Sequence, residues 1–397
     1  MEFNKSKPNI LCLDINSCFA TIEQQANPNL RNKPVVVSAY TTPSGTILAA
    51  SVTAKKLGIK TGMRVKDAKL IYPKVTVLLP DPPKYRFVHN KLLRILKKYS
   101  DDVAPKSIDE FMFAMPTYND PIKTSKEIKQ RIKDEIGEYI TVSIGISTNR
   151  YLAKIASNLK KPDGLSEINK DNFKMVFQGL KLTCLTGIKK ANKARLNLYN
   201  IKTVNEFYNA PIWKLKLAFG GIGGLYWHTR LHGYEIDDFK TTRKTYGNSY
   251  APPPNKAHLK HEILSKLCEK TGFRLRKAGL VAEGIHLAIS FRDGSYWHKG
   301  VKTKRVIFES SDIYKEACNL LSESPSNELP RVIAVNVFNL LSNRNLQLNI
   351  FSDEVRKTKL TKATDSINKK WGLYTIHSAR MASGPTIVQD RISFGQL

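Results

Sequence analysis

Residues 107–113 read Ser107-Ile108-Asp109-Glu110-Phe111-Met112-Phe113. Two adjacent carboxylates precede an apolar, strand-forming run. Charge beside a buried strand is costly unless something neutralises it, and a divalent cation held by oxygen ligands is the usual answer. An Asp-Glu pair by itself also suits a solvated turn. A second acid strengthens the metal reading: Asp14 closes another apolar run, Ile10-Leu11-Cys12-Leu13-Asp14-Ile15. For Asp14 alone, helix capping is the other reading. Neighbouring side chains on a regular strand point to opposite faces. Asp109 and Glu110 can therefore share a cation only if the backbone turns or bulges there. Otherwise one of them is the ligand, and Asp109 is favoured.

The chain has 397 residues, which suggests roughly two to four domains at the usual size. Its 41% hydrophobic and 25% charged content is ordinary for a globular protein. The charge balance is not: Lys+Arg 64 against Asp+Glu 34 gives +30. Such an excess favours a polyanionic partner, nucleic acid before an anionic membrane surface. No apolar stretch reaches the ~20 residues that a membrane span needs. The polar Met1–Asn9 does not read as a signal peptide. Cys12, Cys18, Cys184, Cys268 and Cys318 are scattered and form no Cys-x-x-Cys pair, which argues against a zinc site and a disulfide framework. An intracellular, reducing location is expected.

Outward from the acids, strands are expected at Ile10–Ile15, Lys33–Ser38, Ile47–Ala50, Val103–Met115 and Val142–Ser147. Asn16 or Ser17 is placed to cap a helix through Ala20, Ile22 and Glu23. Further helices are expected at Ser51–Leu57, Pro82–Ser100 and Ser125–Tyr139, and from Asn149 to Leu159. This order suits an antiparallel sheet backed by two helices, a ferredoxin-like α+β core. Short helices follow to about Asp238, with a Gly187 turn suited to a DNA phosphate or to plain helix packing. A basic linker, with Ala251-Pro252-Pro253-Pro254 close behind, leads into a second α+β unit. Its expected helices are His258–Ala278 and Ser311–Ser322, and its strands Ile285–Phe291, Val301–Phe308 and Arg331–Leu340. The tail from Asp353 carries the pattern of one helix through Ala363, Ile367 and Trp371.

Four segments together resemble the Y-family (translesion) DNA polymerases. Asp14-Ile15-Asn16-Ser17-Cys18-Phe19 is similar to their first acidic motif, and residues 49–63 to their nucleotide-binding finger motif. Ser107-Ile108-Asp109-Glu110 is similar to the second acidic motif, and Val142–Ser147 running on to Lys160-Lys161-Pro162-Asp163-Gly164 to the third. The resemblance implies a right-hand α+β multidomain polymerase: a ferredoxin-like palm from 1–18 and 83–168, and small fingers over 19–82. It further implies a helical thumb with a helix-hairpin-helix-like turn over 169–238, a linker at 239–245, an α+β little finger over 246–352 and a tail over 353–397.

The same resemblance implies that Asp14, Ile15, Asp109 and Glu110 hold two Mg²⁺, which would activate a primer 3′-OH and stabilise in-line transfer at the dNTP α-phosphate. It places Ser17, Cys18, Phe19, Lys55 and Lys161 at the nucleotide, with Phe19 as the steric gate against a 2′-OH. Lys55 stands where many members have Arg, and Val52 and Ala49 where many have Tyr and Thr, so donors to the phosphates are missing. Asn16 replaces a common Asp, as in the branch of the bacterial DNA polymerase V catalytic subunit. Gln347-Leu348-Asn349-Ile350-Phe351 resembles a bacterial sliding-clamp-binding peptide, with Gln347, Leu348, Ile350 and Phe351 as anchors; an edge strand is the other reading. The expected function is template-directed, error-prone synthesis past damaged bases, in the bacterial cytoplasm at the nucleoid. The partners are primer-template DNA, dNTP and the clamp, with no membrane. The alternative is a non-catalytic DNA-binding accessory protein of a mutasome, and a nucleotide cyclase on the same palm is a third class.

Overall fold

The computed structural model describes residues 1–116, 119–237, 243–325, 328–343, 354–372 and 374–381. Two compact units divide at about residue 240. In the first, chain order is β1 Ile10–Ile15, α1 Cys18–Ala26, β2 Val35–Ser38, β3 Ile47–Ala50, α2 Val52–Lys56, α3 Val65–Ile71 and β4 Thr76–Leu78. Then come α4 Pro82–Leu96, β5 Val103–Pro105, β6 Glu110–Ala114, α5 Pro121–Glu135, β7 Val142–Ser147, α6 Arg150–Leu159 and β8 Leu165–Glu167. Five short helices close the unit: α7 Phe173–Gln178, α8 Lys190–Leu198, α9 Val204–Asn209, α10 Ile212–Phe219 and α11 Ile222–Leu231.

The central sheet has the order β5-β6-β1-β7-β8. It is antiparallel except that β8 joins β7 in parallel, which corrects the all-antiparallel expectation. β8 is only three half-buried residues long and carries no readable period. Strand alternation sorts β1 into two faces. Leu11, Leu13 and Ile15 pack with Leu92 of α4 and with Ile128 and Ile132 of α5. Ile10 and Cys12 pack with Met112 and with Ala153 of α6. By the same parity Asp14 and Glu110 fall on the α6 face.

The single strand expected over Val103–Met115 is two. β5 and β6 pair as a hairpin, and Lys106 N–H bonds Glu110 O across the turn at 2.8 Å. α5 begins four residues earlier than expected because Asp120 caps it, accepting from the Ile122 N–H at 2.9 Å, with Pro121 in the first turn. A small sheet, β3-β2-β4, lies beside α2 and α3. Of the two helices expected around Gly187, the first is one 3-10 turn at Leu182–Cys184, while Gly187 itself takes φ +88° before α8. A second turn of left-handed glycines, Gly220 and Gly221, joins α10 to α11.

The second unit contains β9 Thr245–Tyr250, α12 Lys260–Lys277, β10 Leu280–Phe291, β11 Tyr296–Ile307, α13 Ser310–Ser322, β12 Pro330–Ser342 and α14 Glu354–Trp371. Its four-stranded sheet, β11-β10-β12-β9, is wholly antiparallel. Leu264 and Leu267 of α12 and Ile313 and Ala317 of α13 pack on Leu287 and Val335. Thr245, expected in the linker, already pairs with Phe338, and Ala251–Pro254 runs inside this unit between β9 and α12. β11 starts at Tyr296, ahead of the expected Val301, because it is an edge strand with an exposed lysine face and no apolar alternation to mark it. α14 runs through Ala363, Ile367 and Trp371 as its pattern suggests, and Arg276 holds Asp365 through two bonds of 2.7 and 2.8 Å. The clamp-like segment 347–351 lies outside the described residues. Among the described residues no helix is long and apolar enough to cross a membrane.

Candidate active site

The register of β1 and β6 sets Asp14 directly opposite Glu110. Asp109 lies one residue before β6, where its carbonyl accepts the Ile15 N–H at 2.9 Å and its carboxylate accepts the Ser107 hydroxyl. Asp109 thus extends the pairing of β6 with β1 by one residue, so the turn at residues 106–108 lies ahead of it and does not by itself bring its carboxylate to the face of Glu110. Asp14 is 8% exposed.

Two lysines balance these acids. Lys154 Nζ lies 2.6 Å from Asp14 Oδ2 and 2.7 Å from Glu110 Oε2, and Lys161 Nζ lies 2.5 Å from Asp14 Oδ1. Burial works to lower the Lys154 pKa, but Cys12, Asp14 and Glu110 together outweigh it and raise it. Lys161 was expected at the nucleotide; Lys154 was not anticipated at all. In the fold, α6 is buried from Arg150 to Ser157 except at Lys154, and a lysine among such neighbours needs an acid partner.

A cleft of about 540 Å³ opens beside Asp14 and Asp109. Ile15, Ser17, Cys18, Phe19, Lys55 and Lys161 all line it, so the structure gathers every expected nucleotide residue at one place. Glu110 is not on its wall; it faces Lys154. Phe19 stacks on Tyr85 with ring centroids 4.5 Å apart, and Tyr85 is pinned in turn by its hydroxyl bond to Glu23 at 2.9 Å. Lys55 has a lowered pKa, chiefly through burial and then through the like charge of Lys161. Ala49 and Val52 present apolar wall, as expected, while Thr61, passed over in the sequence, adds a hydroxyl-bearing side chain to the lining. Ser17 precedes α1 with φ 53° and makes no side-chain cap, contrary to expectation. Asn16 has a different task. It donates to Ser143 Oγ at 2.9 Å and accepts the Asp163 N–H at 2.8 Å, fixing the turn that carries Lys161.

Among the described residues no three His, Cys, Asp or Glu side chains converge as a ready metal cage. The donors are still of the right kind. The trio offers carboxylate oxygens only, the choice of a hard divalent cation. The two nearby thiols, Cys12 and Cys18, are buried and burial pushes their pKa up, so they supply no thiolate. The residues fit a divalent cation chemically once the lysines yield.

A family model described as the impB/mucB/samB family matches residues 13–158, and its C-terminal domain model matches residues 242–350. The DNA polymerase IV of Pelotomaculum thermopropionicum is 30% identical over 396 residues, covering 96% of this chain and 97% of that protein. DNA polymerase IV 2 of Bacillus subtilis is 30% identical, covering 91% and 92%. The chain belongs to the Y family of DNA polymerases. A solved Y-family polymerase chimera of Dbh and Dpo4 superposes with TM-score 0.73 at 26% identity, covering 84% of this chain and 99% of that one. An insertion ternary complex of Dbh DNA polymerase gives TM-score 0.60 at 26% identity with the same coverage. This Y-family chain is thus a translesion DNA polymerase with the α+β fold of those structures, its C-terminal antiparallel sheet included, and a metal-dependent enzyme.

Proposed function

We propose that this polymerase adds dNTPs to a primer 3′-OH at the cleft between Asp14, Asp109 and Phe19, using Mg²⁺ held by Asp14, Asp109, Glu110 and the main chain at Ile15. The observation that carries this reading is the Asp14–Glu110 register pairing, with Asp109 one residue ahead of β6, beside a cleft lined by three lysines and an aromatic ring. Two bound Mg²⁺ would supply Lewis acidity at the 3′-OH and the triphosphate. The chain's own residues do the rest. Lys55 and Lys161 place point charges where a triphosphate would lie. Phe19, fixed by Tyr85, offers a flat apolar surface against the sugar and no room for a 2′-OH. Residues 1–18 with 83–168 act as palm, 19–82 as fingers, 169–238 as thumb and 246–352 as little finger.

The thumb turns at Gly187 and Gly220–Gly221, which take positive φ, would lie against DNA phosphates, and Lys299, Lys302, Lys304 and Arg305 of β11 give the little finger a cationic edge for the duplex. Residues 347–351 carry the sequence of a clamp-binding peptide, which would place the enzyme on DNA in the bacterial cytoplasm. Asn16 supports placement nearer the polymerase V branch, although the curated relatives named above are called DNA polymerase IV. Activity without an accessory subunit separates the two. The test is primer extension with Mg²⁺ on an undamaged and on an abasic template. Extension across the abasic site by the purified chain is expected. Extension that stops before the lesion, with the clamp loaded, would overturn the bypass role.

A further inference from the structure

Both carboxylate oxygens of Asp14 are already taken, one by each lysine, and Lys154 reaches on to Glu110. Lys154 Nζ thus bridges two of the three acids, at bond lengths close to those of a charge-assisted hydrogen bond. It projects from α6, which is held against the sheet: a Cβ at Gly145 of β7 would meet Ala153 O and Ser157 N at 2.1 Å, so helix and strand backbones are already in contact. Lys154 is also shielded, its side chain 17% exposed. An ammonium held this firmly between two carboxylates competes for the oxygens a cation needs.

We infer that Lys154 and Lys161 form a lysine latch on the metal site, which makes divalent-cation binding conditional on nucleotide. The inference rests on the reading of Asp14, Asp109 and Glu110 as metal ligands. A triphosphate in the cleft offers Lys161 a denser anion than Asp14 Oδ1, and Lys161 is the more exposed of the pair, 32% against 17%. Its departure frees one Asp14 oxygen. Lys154 would then give up the second oxygen and Glu110 to a cation arriving with the nucleotide. Cation and nucleotide binding are coupled, each favouring the other by the same factor.

The test is Mn²⁺ binding to the protein without DNA, read by electron paramagnetic resonance of the free ion, with and without a non-hydrolysable dNTP. Lys154→Met is expected to bind Mn²⁺ at least tenfold tighter than wild type without nucleotide. That advantage should shrink when the nucleotide is present. Lys154→Arg, which keeps the charge, should stay weak. Lys55→Met removes a cleft charge that acts on Asp14 without a direct ion pair, and should change the affinity far less than Lys154→Met. Circular dichroism and melting confirm that each variant is folded. If folded Lys154→Met binds no tighter than wild type, or if Lys55→Met gains as much, the latch is overturned while the metal site stands. If no form binds Mn²⁺ even with nucleotide, the metal-site reading fails and the latch with it.

Discussion

Phe19 shows how a single side chain sets selectivity. It is 2% exposed and stacked on Tyr85, so its edge cannot swing aside for a larger sugar. Replacing it with Leu should lower discrimination between dNTP and rNTP by about 10–200-fold, the range for one altered apolar contact in a pocket. Steady-state kcat/KM for the matched pair of nucleotides measures it, and an unchanged ratio would remove Phe19 from the gate. At this scale the sequence was informative where a motif carried the residue. Asp14, Asp109, Phe19, Lys55 and Lys161 all line one cleft. Lys154 was missed because its role depends on register between α6, β1 and β6, which no local pattern spells. The sequence offers Asn16 as a helix cap and a branch marker, whereas its bonds to Ser143 and Asp163 are long-range contacts visible only in the fold.

Among elements, the junction of β7 with α6 governs how Lys154 reaches the acids. Gly145 pairs with Cys12 across the sheet and faces the α6 backbone. A methyl group there meets main-chain atoms, which cannot rotate away. Gly145→Ala should therefore destabilise the first unit by about 1–3 kcal/mol, the usual cost of overpacking. A thermal melt shows this as a lowered Tm; an unchanged Tm would mean that α6 is free to shift. Strands and helices with strong periods were legible: β1, β7 and α6 stand where the residues put them. The hairpin turn at residues 106–108 was legible only as a condition, that the backbone must turn if Asp109 and Glu110 are to act together, and it lies ahead of Asp109. β8, β4 and α3 were not legible, because three to seven residues with mixed burial carry too little pattern.

At the level of the whole molecule, the excess of 64 basic over 34 acidic residues is the property most directly tied to a nucleic-acid partner. A polymerase that grips phosphates through many lysines releases condensed counterions on binding. Affinity for a primer-template, followed by fluorescence anisotropy, should fall by about 10³-fold or more between roughly 50 and 200 mM salt. A fall of less than tenfold would mean that the charge lies away from the duplex. The broad class of partner was readable from charge alone, and the order of the motifs carried the fold. The tail was not placed by sequence, since the Arg276–Asp365 pair that anchors α14 joins residues 89 apart.

The central claim is that Asp14, Asp109 and Glu110 work as one reaction centre. Single-turnover incorporation of a correct dNTP with Mg²⁺ tests it most directly, comparing wild type with Asp14→Asn, Asp109→Asn and Glu110→Gln, each checked for folding and DNA binding. Each variant should lose about 10³-fold or more in rate, and the double variant Asp14→Asn/Asp109→Asn little beyond either single one, as groups acting as a unit do. A folded, DNA-bound variant that keeps its rate within tenfold of wild type would contradict the account.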